Sequence, residues 1–233
     1  MNVDLSSRFV QVNGATIHYG DDGGGAPLIL IHGGLSAGTD WQPLLPELAA
    51  GFRVITPDSR GHGRSTNPSG ELSYARIADD TAALIAALGL GRPVVGGWSD
   101  GGQVALELGA RHPDRASALI VGGAYPDFDA GGLRDAHRAL LGADDSGVPD
   151  LSRLEAQLGE WAEELKALHP GGPEQWQALV LGSAGMWLDY EGLGPDQLVE
   201  LLGGDVAQRE GRLPERGALV VRLLGHPGRS VVP

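Results

Sequence analysis

Cysteine is absent from the 233 residues, which excludes disulfides and thiolate metal sites. No window approaches the ~18 uninterrupted apolar residues of a membrane span, so no membrane partner is expected. Met1–Phe9 lacks a basic start and an apolar stretch, so a secretion signal is not expected and the cytoplasm is the default compartment. Lysine occurs once, at Lys166, beside 16 arginines, a skew typical of GC-rich coding rather than of function. Positive charge is scarce: 17 basic residues face 30 acidic ones. The resulting net charge of −13 argues against nucleic acid or anionic membrane partners.

Glycine is abundant, with 38 residues, about twice its usual share. Apolar runs recur between the glycines, so they mark tight turns rather than disorder. The length suits one large α/β domain with a sizeable core better than two small ones.

Phe9–Val12 and Thr16–Tyr19 are short β-like runs joined at Asn13-Gly14, a two-residue hairpin signal. Asp21–Gly25 reads as a flexible turn. Pro27–Ile31 is apolar without alternation, as in a strand buried on both faces. Thr39–Ala50 reads as a helix, Phe52–Thr56 as a strand, and Ser73–Leu88 as a helix capped by Ser73 and stopped by Gly89. Val94–Trp98 and Ala116–Gly122 are strands flanking the helix Gln103–Arg111. This order predicts a mostly parallel sheet with helices on both faces. From Pro126 to about Pro195 the segments Leu133–Leu141, Leu151–Leu168 and Glu174–Leu181 look helical, and no strand-like run interrupts them. They form either a helical extension of the core or a lid over the sheet's carboxyl edge, where open α/β sheets place ligands. Trp161, Trp176 and Trp187 are expected in the core of that lid rather than in a substrate wall.

The pentad Gly97-Trp98-Ser99-Asp100-Gly101 lies between a strand and a helix. A serine at such a turn is exposed in a strained backbone conformation and can act as a nucleophile. A Cβ two residues either side of it would collide with the neighbouring strand or helix. The helix behind it directs free N–H groups at any anion formed there. The alternative is a glycine-rich connection with a capping serine.

These residues resemble the α/β-hydrolase superfamily, in order, over roughly 10–194. The motifs are Leu28-Ile29-Leu30-Ile31-His32-Gly33-Gly34, then Asp58-Ser59-Arg60-Gly61-His62-Gly63-Arg64-Ser65, then the turn at Ser99. Gly97-Trp98-Ser99-Asp100-Gly101-Gly102 is similar to the valacyclovir-hydrolase-like branch of serine esterases. The resemblance implies an oxyanion hole from the N–H groups of Gly34 and Asp100, with Gly33, Trp98 and Asp100 touching substrate. Asp100 could hold a substrate ammonium; alternatively it is an acid at a helix N-terminus, favoured there by ~0.3–1 kcal/mol. Arg60, His62 and Arg64 fall in what is a structural turn in the family, and Asp58 is expected to cap or to pair with an arginine of that turn.

A serine needs a histidine base and an acid, which follow it in the order acid, then histidine. His18, His32 and His62 precede Ser99, His112 ends the helix behind it as a charge partner, and His137 and His169 lie in the expected lid. His226, after Ala218–Leu224, is the histidine in the expected order, and Asp205 the nearest acid. Asp127 and Asp129 are alternative acids. The spacing of 21 residues between Asp205 and His226 is tight for a loop, a helix and a strand. Residues 203–233 also carry five Arg against three acids, a net +2 against −15 for the residues before them. Either the C-terminus is displaced by a frame change or truncation, or Asp205 and His226 complete a genuine, divergent end. Displacement would leave the last strands and closing helix missing or irregular, with marginal stability or association as the consequence.

The expected organisation is therefore an α/β-hydrolase core at 1–125, a helical lid at 126–195, and an atypical C-terminal remainder of the core at 196–233. The expected activity is hydrolysis of a carboxylic ester of a small molecule through an acyl-enzyme on Ser99, without metal or organic cofactor. The alternative is a catalytically defective protein of the same fold that at most binds a small ligand. The motifs fix neither the acyl and leaving groups nor the oligomeric state, because lid shape sets substrate choice.

Overall fold

Asn13 and Gly14 both take positive φ (46° and 77°) and close the first hairpin in two residues. They join β1 (Arg8–Val12) to β2 (Ala15–Asp22). The second strand outlasts the expected Thr16–Tyr19. Asp21, expected in a flexible turn, stays in the sheet because Arg53 donates to both its carboxylate oxygens (2.8 and 2.9 Å) and Arg8 to one (2.8 Å). The computed structural model describes residues 8–125, 132–194, 196, 197 and 201, and the backbone of 218–221.

At the centre β4 (Phe52–Pro57), β3 (Ala26–Ile31), β5 (Val94–Trp98) and β6 (Ala118–Gly122) lie side by side and parallel. The β1–β2 hairpin extends this core antiparallel beyond β4, and β7 (Ala218–Val221) pairs antiparallel with β6 at the other edge. The expected α/β class holds. Within 202–233 the described strand is an irregular addition that covers the β6 edge with reversed polarity. The non-alternating run in β3 has the expected cause. Ile29 and Ile31 face the large core, while Leu28 and Leu30 face a smaller cluster with Leu45, Val54 and Trp41.

The expected helix Thr39–Ala50 is instead a 3₁₀ turn, Gly38–Trp41, and a single turn α1 (Leu45–Leu48). Pro43 and Pro46 supply no N–H and restrict the residues before them, so a continuous helix cannot form. Helix α2 (Tyr74–Ala87) starts as expected, with the Ser73 side chain accepting from the Arg76 amide. Helix α3 (Asp100–Arg111) begins immediately after Ser99. Beyond β6 come α4 (Leu133–Leu141), α5 (Leu151–Leu158), α6 (Glu160–Ala167) and α7 (Gly172–Asp189). The single helix expected over 151–168 breaks at Gly159, where φ is +60°. Helix α7 runs past Leu181 and so carries Trp187. Trp176 and Trp187 are buried as expected, but Trp161 is 55% exposed on the outer face of α6. No described helix is long and apolar enough to cross a membrane.

Candidate active site

One residue, Ser99, makes the turn between β5 and α3, at φ 54° and ψ −119°. This region costs an L side chain about 1–3 kcal/mol and persists only when its surroundings impose it. Here the Ser99 amide donates to the Gly122 carbonyl (2.8 Å), and its own carbonyl accepts from the Gln103 amide (3.0 Å). A Cβ at position 97 would overlap the Gly101 carbonyl, and one at 101 the Ile31 carbonyl. Both collisions match the steric reading of the pentad. Ser99 is exposed, and its hydroxyl makes no hydrogen bond among the described residues.

The loop after β3 packs against this turn. A Cβ on Gly33 would lie 3.7 Å from both the Ser99 Cβ and the Trp98 carbonyl. A Cβ on Gly34 would meet Asp100 Oδ2 at 2.6 Å and Trp187 at 2.7 Å. Among the described residues neither the Gly34 amide nor the Asp100 amide is engaged in a hydrogen bond. His32 Nδ1 donates to the Gly33 carbonyl (2.7 Å), and its Nε2 accepts from the Ser59 amide (2.9 Å). The Gly33 carbonyl and the Gly34 N–H belong to one planar peptide, so holding the first orients the second. Leu35, next along, has φ 58°.

Asp100 accepts from the Tyr74 hydroxyl (2.7 Å) and from the Trp187 indole N–H (2.8 Å). Burial pushes its carboxyl up to about 6, against the pull of these two donors. The carboxylate thus ties α2 and α7 to the start of α3, which composition and spacing did not disclose. Tyr74, Ser99, Asp100, Gln103, Tyr125 and His137 line a cavity of about 40 Å³. That is far below the ~300–1,000 Å³ of ligand pockets. Trp98, expected to touch substrate, does not line it; its ring packs over Gly122 and Gly123. A larger cavity of about 410 Å³, between the turn at 61–72 and α7, shares no lining residue with it.

His18, His62 and His112 are held by structural partners. His62 Nδ1 donates to the Arg60 carbonyl (3.0 Å), and its ring lies 4.9 Å from that of His32. His112 meets Asp79 of α2 at 2.7 Å. Asp58 accepts from His18 and from the amides of Gly38 and Arg64. Burial works to raise the Asp58 carboxyl, and these donors hold it below its usual range. A Cβ on Gly63 would overlap that carboxylate, which explains the glycine. Among the described residues no group of three or more His, Asp or Glu stands where it could hold a metal ion.

Burial lowers His32 and His169 and brings His62 down to about 3. Unfolded histidines protonate near 6.5, so stability from these neutral rings is complete above that pH and is lost as pH falls toward 3. Asp100 works in the opposite sense between 6 and 4, taking up one proton in the folded state. The histidines outweigh it. Urea unfolding at pH 7.5, 6.5 and 5 is expected to show little change over the first step and a clear fall over the second, up to about 1.4 kcal/mol per pH unit for each proton difference. A free energy constant across that range contradicts this account.

The fold therefore brings Gly33, Gly34, Ser99 and Asp100 together. Asp205 and His226, and the alternative acids Asp127 and Asp129, lie outside the described residues. Residues 26–143 match the family profile described as the alpha/beta hydrolase fold. The chain is 34% identical over 197 residues to a 2-hydroxy-6-oxo-2,4-heptadienoate hydrolase of Pseudomonas putida, covering 78% of this chain and 70% of that protein. It is 32% identical over 121 residues to a soluble epoxide hydrolase of a Corynebacterium species, covering 52% of this chain and 42% of that one. The chain thus spans less than half the length of this second relative. A thermophilic esterase from Thermogutta terrifontis, solved with malate bound, superposes with a TM-score of 0.56 at 26% identity, over 77% of this chain and 71% of the esterase.

Proposed function

This chain belongs to the alpha/beta-hydrolase fold family, and from that premise we propose that it hydrolyses a carboxylic ester of a small molecule through an acyl-enzyme on Ser99. The observation that carries the reading is a strained, exposed serine beside two unengaged backbone amides. Ser99 Oγ attacks the ester carbonyl as its proton passes to a base, and negative charge moves onto the carbonyl oxygen. The Gly34 and Asp100 N–H groups receive that charge without reorganising. Collapse expels the alcohol, which takes the proton, and water then releases the acid from Ser99 by the same steps in reverse. His226 is the base in this reading and Asp205 its orienting acid.

We read residues 126–195 as the lid, from which Leu133 and His137 line the cavity beside the exposed Ser99. Asp100 serves chiefly through its amide; a substrate ammonium would be a third partner for a carboxylate already holding Tyr74 and Trp187. Amino-acid esters compared with simple acyl esters measure that contribution. A second reading, a protein of this fold without turnover, is favoured by one observation: β7 pairs antiparallel with β6 instead of continuing the parallel sheet toward His226.

Labelling with a fluorophosphonate probe distinguishes the two, since the probe reacts with an activated serine. One label is expected, mapped by peptide mass to Ser99. An unlabelled but folded protein establishes the second reading instead.

A further inference from the structure

His169 lies between α6 and α7, buried, and bridges two loops of the sheet's carboxyl edge. Its Nδ1 accepts from the Gly63 amide at 2.9 Å, which places the ring proton on Nε2. That Nε2–H donates to the Leu35 carbonyl at 3.0 Å. Leu35 is the residue with positive φ next to Gly34, and the Ser36 amide that follows turns back to the Gly33 carbonyl (3.4 Å). The His62 ring stands between His32 and His169, 4.9 and 6.4 Å from them. His32 thus holds the loop 33–36 from the β3 side, and His169 holds it from the lid side.

We propose that His169 is a positioning residue: through the Leu35 carbonyl it sets the turn that aims the Gly34 N–H, so that the helical region and the oxyanion loop are ordered as one unit. The part concerning turnover rests on the reading of Gly34 as an oxyanion donor. A non-glycine residue at φ 58° relaxes unless something outside the turn opposes it. The turn's own hydrogen bond, at 3.4 Å, is long, whereas the contact from His169 is well inside hydrogen-bond range. A shift of about 1 Å in a donor costs roughly 100-fold in rate.

Gln175 supplies the control. It also joins α7 to the turn after β4, donating to the Gly61 and Gly63 carbonyls (3.2 and 2.8 Å), but makes no hydrogen bond to the loop 33–36. The test compares His169→Ala, His169→Gln and Gln175→Ala in the full chain, by hydrogen–deuterium exchange of peptides spanning 33–36 and by ester turnover. His169→Ala is expected to speed exchange of the Ser36 amide at least tenfold and to lower kcat roughly 10- to 100-fold with KM within about twofold. Gln175→Ala is expected to leave both near wild type, and His169→Gln, which keeps an N–H for Leu35, to recover part of each. Unchanged exchange at 33–36 in His169→Ala overturns the proposal, as does an equal change in Gln175→Ala. The exchange measurement needs no turnover, so an inactive wild type would refute the ester reading alone.

Discussion

Ser99→Ala is expected to reduce turnover of p-nitrophenyl esters on the order of 10⁴–10⁶-fold, leaving only what the amide donors and binding supply. The fold should not notice. The hydroxyl is exposed and makes no hydrogen bond among the described residues, so its removal should change stability by about 0.5 kcal/mol or less. Alanine also keeps the unfavourable φ of 54°. Ser99→Gly separates the two properties: it should be equally inactive yet more stable, because relief of about 1–3 kcal/mol of strain exceeds glycine's extra entropy cost of roughly 0.5–1 kcal/mol. An alanine variant with more than a tenth of wild-type activity would remove Ser99 as the nucleophile.

Asp80→Ala should cause the largest loss of stability, about 3–5 kcal/mol. Arg60 and Asp80 form a buried pair with two contacts of 2.7 Å, at 1% and 4% exposure. Asn13 completes it, donating to Asp80 (3.0 Å) and offering its carbonyl to Arg60 (3.3 Å). The cluster ties the first hairpin and α2 to the turn after β4. Removing the carboxylate strands a guanidinium that cannot lose its proton and cannot reach water. Against a typical total of about 5–15 kcal/mol, that loss takes much of the margin. Asp80→Asn, which keeps the shape and one acceptor, should lose less. Urea unfolding at pH 7.5 measures both; a loss below about 1 kcal/mol for Asp80→Ala would mean that the pair is dispensable.

Local chemistry made the core legible. The unbroken apolar run of β3, the Asn13-Gly14 turn and the Ser73 cap are decided by neighbours a few residues away, and all three stand where the pattern put them. The same holds for Ser99, whose flanking glycines are dictated by backbone atoms on either side of one turn. Where local signals compete, the structure departs from the expectation. Prolines at 43 and 46 broke an apparently helical stretch, Gly159 split another, and Trp161 proved to be a surface residue.

The chain by itself determined its family, its sheet and the position of its strained, exposed serine, because each follows from short-range sterics and hydrophobic spacing. Only the folded arrangement decided what Asp100, Trp187 and His169 do. Asp100 reads locally as a helix-start acid, yet its carboxylate is claimed by Tyr74 and by an indole 87 residues away. His169 reads as one more polar residue between helices, yet its two nitrogens serve backbone groups 106 and 134 residues distant. Such partners leave no periodicity or spacing behind, since a hydrogen bond depends on separation in space and not on separation along the chain.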